Sequence, residues 1–277
     1  MQQELKLRII SGVILAVIVL LATWYGGVAF SLLSAAIGLL IYYEWSTITK
    51  LATEQPVANA IGWIGQAAIA VAVVAGTLGY SLLLLVLFFL IAVGFVLVSG
   101  VSRWFPTGIV YAGLTGIALS SIRGSDSVGL FAMLFVFAVV WSTDILAYFV
   151  GRAIGGPKLA PKISPGKTWS GAIGGAVSAV IAGSLVAYFA FPQSLVLAAP
   201  IALILSVCSQ SGDLFESFIK RRFGVKDSSH LIPGHGGVMD RVDGLIFACF
   251  AAFLLAGLFS LIKGGEITSL GAALFGV

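Results

Sequence analysis

Charge is what this sequence lacks most. It holds 15 Lys or Arg and 11 Asp or Glu among 277 residues, 9% charged, where a soluble domain carries roughly 25%. With 60% hydrophobic residues and a mean hydropathy of +1.11, a water-soluble globule is excluded. Strand-type alternation is absent too, which leaves helices as the spanning element. The two cysteines, Cys208 and Cys249, sit in apolar context without CxxC spacing and read as small packing residues. No Cys/His set has zinc-ligand spacing. There is no GxxxxGK[ST] loop and no GxSxG elbow, which argues against a P-loop ATPase and a serine hydrolase. The first apolar run has no small-residue cleavage pattern and is expected to be retained. The pI of about 9.1 reflects loops facing anionic headgroups or anionic substrates, and no nucleic-acid partner is expected.

What is present is a succession of apolar runs of about 16–23 residues, near the length a helix needs to cross hydrocarbon. They predict an all-α, polytopic integral membrane protein with about nine transmembrane helices. The predicted spans are Ile9–Trp24, Val28–Tyr43, Ala58–Leu78, Ser81–Ser99, Pro106–Ile122, Val128–Val150, Gly171–Phe191, Leu195–Gly212 and Gly244–Ile262. The third and fourth are expected to turn at Gly79 and Tyr80. The fifth is short and glycine-rich, and is expected to be tilted or broken. With the N-terminus in the cytoplasm, 13 of the 15 Lys and Arg fall on inner segments and only Arg123 and Lys263 outside. That places the chain in a bacterial-type inner (plasma) membrane with its charged face cytoplasmic. Residues 1–105 read as N-terminal helices that pack, enclose lipid or form an oligomer contact. Residues 106–277 read as a catalytic half with cytoplasmic loops 151–170 and 213–243. Glu44, beside Trp45, reads as an interfacial anchor or a structural ion pair.

Against this apolar ground the charges stand out. Asp144 precedes Arg152 by eight residues, so it sits ~12 Å inside the inner boundary. An ionisable group at that depth is costly and points to function; pairing with a Lys or Arg of a neighbouring helix is the structural alternative. The loop Gly151–Ser170 holds four cations, three prolines and no acid. Its end, Ser164-Pro165-Gly166-Lys167-Thr168, opens a helix, where N–H groups and the dipole suit a phosphate. The alternative is a basic loop that only fixes topology.

The segment Ser209–Asp243 collects ten of the acidic and basic residues and both histidines, His230 and His235. Asp213, Glu216, Ser217 and Lys220 share one face if the preceding helix continues; Gly224 is its expected end. Glu216 is a candidate structural partner for Lys220, and Asp227 for Lys226 or Arg222. Pro233-Gly234-His235-Gly236-Gly237 predicts a tight turn whose amides can form an anion nest. Asp240 and Asp243, three apart, open the last span. Asp213, Asp240 and Asp243 thus lie at the ends of two helices on the inner boundary, and oxygen ligands among cations suit Mg²⁺ holding phosphates.

From Ser217 to Asp243 the chain resembles the signature of CDP-diacylglycerol synthases (phosphatidate cytidylyltransferases). The positions that carry it are Ser217, Lys220, Arg221, Lys226, Asp227, Pro233, His235, Gly236, Gly237, Asp240, Arg241 and Asp243. Leu5–Gly12 and the Lys158–Thr168 loop are similar to the family as well. The resemblance implies transfer of the cytidylyl group of CTP to phosphatidate, with Mg²⁺ as cofactor and a second cation and a homodimer left open. On that reading Asp144, Asp213, Asp240 and Asp243 are metal ligands and, with Lys226, catalytic. Ser164, Lys167, Thr168, Lys220, Arg221, Asp227, His235, Gly236, Gly237 and Arg241 bind the substrates. A CTP-dependent polyprenol or phytol kinase and an ion-coupled transporter are the competing readings. Collection of the charges at one face disfavours the transporter.

Overall fold

The computed structural model describes residues 2–264 and 269–276; for residues 2–9, Lys6 and Arg8 among them, it describes the backbone only. The described chain runs α1 (Gln2–Tyr25), α2 (Gly27–Ile48), α3 (Leu51–Glu54), α4 (Pro56–Val74), α5 (Leu78–Ser99), α6 (Trp104–Arg123) and α7 (Ser127–Ile154). There follow β1 (Lys158–Ala160), β2 (Ser164–Thr168), α8 (Trp169–Ala190), a 3-10 turn at Pro192–Ser194, α9 (Leu195–Phe223), α10 (Met239–Ile262) and α11 (Leu270–Phe275). Eight of these helices are long and apolar enough to cross a membrane, and α1 adds a shorter apolar stretch, Ile10–Tyr25. This is the all-α polytopic membrane architecture expected, and each predicted span has its helix, the third alone running on through the next turn to the first residue of α5.

Three local expectations change. The third and fourth spans turn at Ala75–Thr77, not at Gly79 and Tyr80. Gly76 takes φ +69°, a left-handed conformation open to glycine, and Thr77 closes the turn by donating to the Ala72 carbonyl at 3.0 Å. The fifth span, α6, is unbroken, because its glycines are packing sites. A Cβ at Gly108 would lie 2.4 Å from the Trp45 ring, and one at Gly116 3.2 Å from the Ser34 carbonyl. The segment Ser164–Thr168, read as the opening of a helix, is a strand that precedes it: β1 and β2 pair antiparallel, with Lys158 opposite Thr168 and Ala160 opposite Ser164.

The chain forms two compact units: Met1–Ser120 with Arg222–Arg241, and Ser121–Arg221 with Val242–Val277. The loop after α9 clusters with the N-terminal helices. In the first unit, aromatics fill the notches left by small residues. Gly62 receives Tyr42, Gly65 receives Phe88 and Gly108 receives Trp45, whose indole donates to the Trp104 carbonyl at 2.9 Å. Within lipid such fit, not hydrophobicity, drives helix association.

In the second unit α8 lies on α7 along a glycine stripe. A Cβ at Gly171 would stand 2.6 Å from the Ala147 carbonyl, and one at Gly175 2.8 Å from that of Thr143. Thr143 in turn shares a 2.8 Å hydrogen bond with Ser206 of α9. The start of α10 presses on α9 in the same way: a Cβ at Gly212 would sit 2.5 Å from the Asp243 carbonyl, and one at Gly244 2.6 Å from Ser209 Oγ. These backbone-close crossings bring α7, the β1–β2 hairpin, α9 and the N-terminal end of α10 to one place.

Candidate active site

The second unit holds a cleft of about 560 Å³. Asp144 and Tyr148 of α7, Arg152, Lys158, Lys167 of β2, and Gln210 and Asp213 of α9 line it, over a floor of Ala147, Gly151, Gly171 and Ala172. Glycine at the crossing is what lets α7 and α8 open onto a backbone-lined floor. Lys167 forms an ion pair with Asp213. Asp144 feels the charges of both Asp213 and Lys167, and Asp243 those of Asp213, Asp144 and Lys167. Three carboxylates and one ammonium therefore share a single electrostatic neighbourhood.

Few fixed donors serve these carboxylates. Asp243 Oδ1 accepts from its neighbour Gly244 N at 2.8 Å, and Asp213 Oδ1 accepts a long 3.4 Å bond from Ser217. Like charges in partial burial repel. The arrangement is stabilised when cations arrive, and an all-oxygen donor set fits a hard divalent ion. Among the described residues no three His, Cys, Asp or Glu form a ready-made cage. One or two carboxylates completed by water and substrate phosphates is the usual manner of holding Mg²⁺.

The hairpin contributes less to the cleft than its sequence promised. Thr168 Oγ1 is spent capping α8 by accepting from Gly171 N at 3.2 Å, and the Trp169 N–H donates to the Pro157 carbonyl at 3.1 Å. Ser164 lies in β2 opposite Ala160 and is not among the cleft residues. Lys167 is the group of this segment aimed at the carboxylates. Lys220, one turn past Glu216, is held by it at 2.7 Å with Glu216 buried, so the structural pairing expected for these two is present. Arg221 is exposed at the end of α9.

The loop after α9 builds a pocket of about 550 Å³ in the first unit. Gly224, φ +71°, ends α9, and the loop turns back where Ile232 N donates to the Gly236 carbonyl at 2.8 Å and His235 N to the Ile232 carbonyl at 2.9 Å. Lys226, His230, His235 and Arg241 line the pocket with one acid, Asp227, and with the backbone of Gly234 and Gly236. Arg241 Nε donates to the His235 carbonyl at 3.0 Å. His235 Nδ1 lies 2.8 Å from Ser11 Oγ, whose hydroxyl donates to the Pro233 carbonyl at 3.1 Å. A hydroxyl has one proton to give, so the ring then donates from Nδ1 and leaves Nε2 as an acceptor.

Asp240 was grouped on sequence with Asp213 and Asp243 as a ligand. In the structure its Oδ2 accepts from Ser228 N and Ser228 Oγ at 2.7 Å each and from Gly237 N at 2.9 Å. Those bonds tie the start of α10 to Ser228 and Gly237 and so fold the loop. Gly237 is packed under the loop and does not line the pocket: a Cβ there would fall 1.9 Å from Ser228 Oγ and 2.3 Å from Glu44 Oε1. Ser11 lies in Leu5–Gly12, noted in sequence only for its similarity to the family, while Glu44, Ser228 and Ser229 have no specific role legible there. Their only signal was a buried acid in an apolar helix and hydroxyls next to a glycine turn.

The chain is similar to known proteins over nearly its whole length. Residues 6–259 match the model of the cytidylyltransferase family. The chain is 47% identical over 268 residues to a phosphatidate cytidylyltransferase of Brucella abortus, covering 93% of this chain and 95% of that protein. It is 34% identical over 279 residues to the phosphatidate cytidylyltransferase of Bacillus subtilis, covering 93% and 99%. A third, from Haemophilus influenzae, is 46% identical over 155 residues, about half of each chain. The match takes in the carboxylate cleft and the basic loop pocket alike, and the chain belongs to the cytidylyltransferase family.

Proposed function

We propose that this protein transfers the cytidylyl group of CTP to phosphatidate, giving CDP-diacylglycerol and pyrophosphate, at the cytoplasmic face of a bacterial-type inner membrane. The observation that carries the reading is the mixed-sign cleft: Asp144, Asp213 and Lys167 line it, and Asp243 shares their electrostatic neighbourhood. Two anionic substrates repel each other, and joining them demands positive charge held in place.

The lipid phosphate supplies its own nucleophile. One of its oxygens forms a bond to the α-phosphorus of CTP, the bond from that phosphorus to the bridging oxygen breaks, and the electron pair leaves on pyrophosphate. No serine or cysteine nucleophile is required. Lys167, with Arg152 and Lys158 on the cleft wall, neutralises charge on the reacting phosphates. Lys226 and Arg241 hold nucleotide phosphate in the loop pocket, with amides of the glycine turn, and His235 lines the nucleotide side. Asp144, Asp213 and Asp243 would hold Mg²⁺, which when bound supplies Lewis acidity to the phosphate oxygens. Asp240 keeps the loop folded.

The test is turnover by purified protein in micelles containing phosphatidate, with Mg²⁺ and CTP labelled at the α-phosphate. Label is expected in a CDP-lipid with one pyrophosphate released per lipid. Release of water-soluble labelled CDP would assign terminal-phosphate transfer instead. Absence of turnover with every lipid acceptor would sink both enzymatic readings.

A further inference from the structure

Glu44 stands near the C-terminal end of α2, 0% exposed, in a helix that otherwise reads as plain membrane span. A buried carboxylate without compensation is expensive. Among the described residues no salt bridge reaches it. Its compensation is a set of donors from the loop after α9. Val238 N and Met239 N donate at 2.7 Å to Oε1 and Oε2 respectively, and Ser229 Oγ donates to Oε1 at 2.6 Å. Ser228 Oγ lies 3.1 Å from Oε2 and 2.7 Å from Asp240 Oδ2, so its single proton ties the two acids into one network.

These donors come from the two ends of one segment. Ser228 and Ser229 precede it, Val238 and Met239 follow it, and between them lie residues 230–237, with His230, His235 and Gly236 of the pocket. Met239 also opens α10, so the carboxylate receives the first amides of that helix, where negative charge is favoured. Left to itself the segment would be loose. Gly234, at φ +76°, and Gly236, at φ +83°, hold conformations from among many open to glycine. Gly237 admits no Cβ beneath the clamp.

We propose that Glu44 is a positioning residue: one buried carboxylate from the second helix pins both ends of the 228–239 segment and so preorganises the anion pocket. The pocket's ligand, taken as the nucleotide's phosphates, rests on the function proposed above; the clamp itself does not. Preorganisation of this kind lowers the ordering cost of binding, so its loss falls first on affinity for the nucleotide.

The experiment compares full-length wild type with Glu44→Gln and Glu44→Ala. Glutamine keeps the volume of Glu44, but its NH₂ must face either the Val238 or the Met239 N–H, and two donors cannot bond. Amide exchange in residues 228–239 is expected to speed up in Glu44→Gln, with the spanning helices unchanged. KM for CTP is expected to rise more than kcat falls, by up to about 100-fold, the cost of a misplacement of about 1 Å. KM for phosphatidate is expected to move less. A lower Tm with unchanged exchange in the segment and unchanged KM for CTP would make Glu44 purely structural and overturn the proposal. Should Glu44→Ala fail to fold, Glu44→Gln still decides. Should wild type prove inactive, the proposed reaction falls, and exchange of residues 228–239 with and without pyrophosphate still tests the clamp. Equal exchange in wild type and Glu44→Gln would end it.

Discussion

Two sets of acids in this chain use the same functional group in opposite ways. Glu44 and Asp240 are surrounded by donors: backbone amides and serine hydroxyls end on Oε1 and Oε2 of the first and on Oδ2 of the second. Among the described residues, Asp144, Asp213 and Asp243 have one close backbone amide, one long hydroxyl contact and one lysine between them, and each lies in the field of another acid. Fixed donors satisfy a carboxylate permanently and make it architecture. Mutual repulsion with few donors leaves carboxylates that are relieved only by something that binds. Active sites are where such unrelieved groups are tolerated.

The sharpest way to break this contrast is Asp243→Asn. The amide oxygen can still accept from Gly244 N, so the start of α10 is kept. The repulsion from Asp213 and Asp144 disappears. Turnover is expected to fall by about 10³-fold, the scale of losing a main electrostatic stabiliser, while Tm in detergent stays level or rises. A fall in Tm with most activity retained would move Asp243 into the architectural set.

Lys167→Met is the next largest. The ammonium and Asp213 are 26% and 33% exposed in their side chains. A pair this accessible adds little to stability, at most about 1 kcal/mol. Its cost is expected in catalysis, about 100-fold in kcat, with Tm within a degree or two of wild type. A variant that loses Tm but not kcat would show that the ion pair exists to hold β2 against α9.

Much of this contrast lay beyond sequence reading, and the reasons are particular. Length and hydropathy were enough for the spans, because a helix in lipid has no alternative to satisfying its own backbone. Asp144 was legible as an acid inside an apolar run, and Lys167 as a cation beside a turn. Asp240 and Asp243 were not separable, since spacing of three places both on one helix face and says nothing of which finds donors. The β1–β2 hairpin was hidden because Pro161, Pro165 and the lysines of residues 157–168 resemble any basic loop. Glu44 was hidden most deeply. Its partners lie 184 to 195 positions away along the chain, and no local pattern reports a contact of that range.

Asp240→Asn should have the smallest effect of the three, and it sharpens the comparison most directly. Every hydrogen bond described from the loop to Asp240 ends on Oδ2. An asparagine can place its amide oxygen at that point and keep the Ser228 and Gly237 contacts, weakened by the loss of charge from about 1.5–3 to about 0.5–1.5 kcal/mol each. The expected result is a Tm lowered by a few degrees, turnover within about 10-fold of wild type, and a KM for CTP raised in the same direction as in Glu44→Gln. Asp240→Ala removes the acceptor altogether, strands the Ser228 and Gly237 amides, and should cost far more stability than Asp240→Asn. If Asp240→Asn were as inactive as Asp243→Asn at unchanged Tm, its charge would be needed for the reaction itself. Asp240 would then belong with Asp144, Asp213 and Asp243, and Glu44 alone would be left to hold the loop.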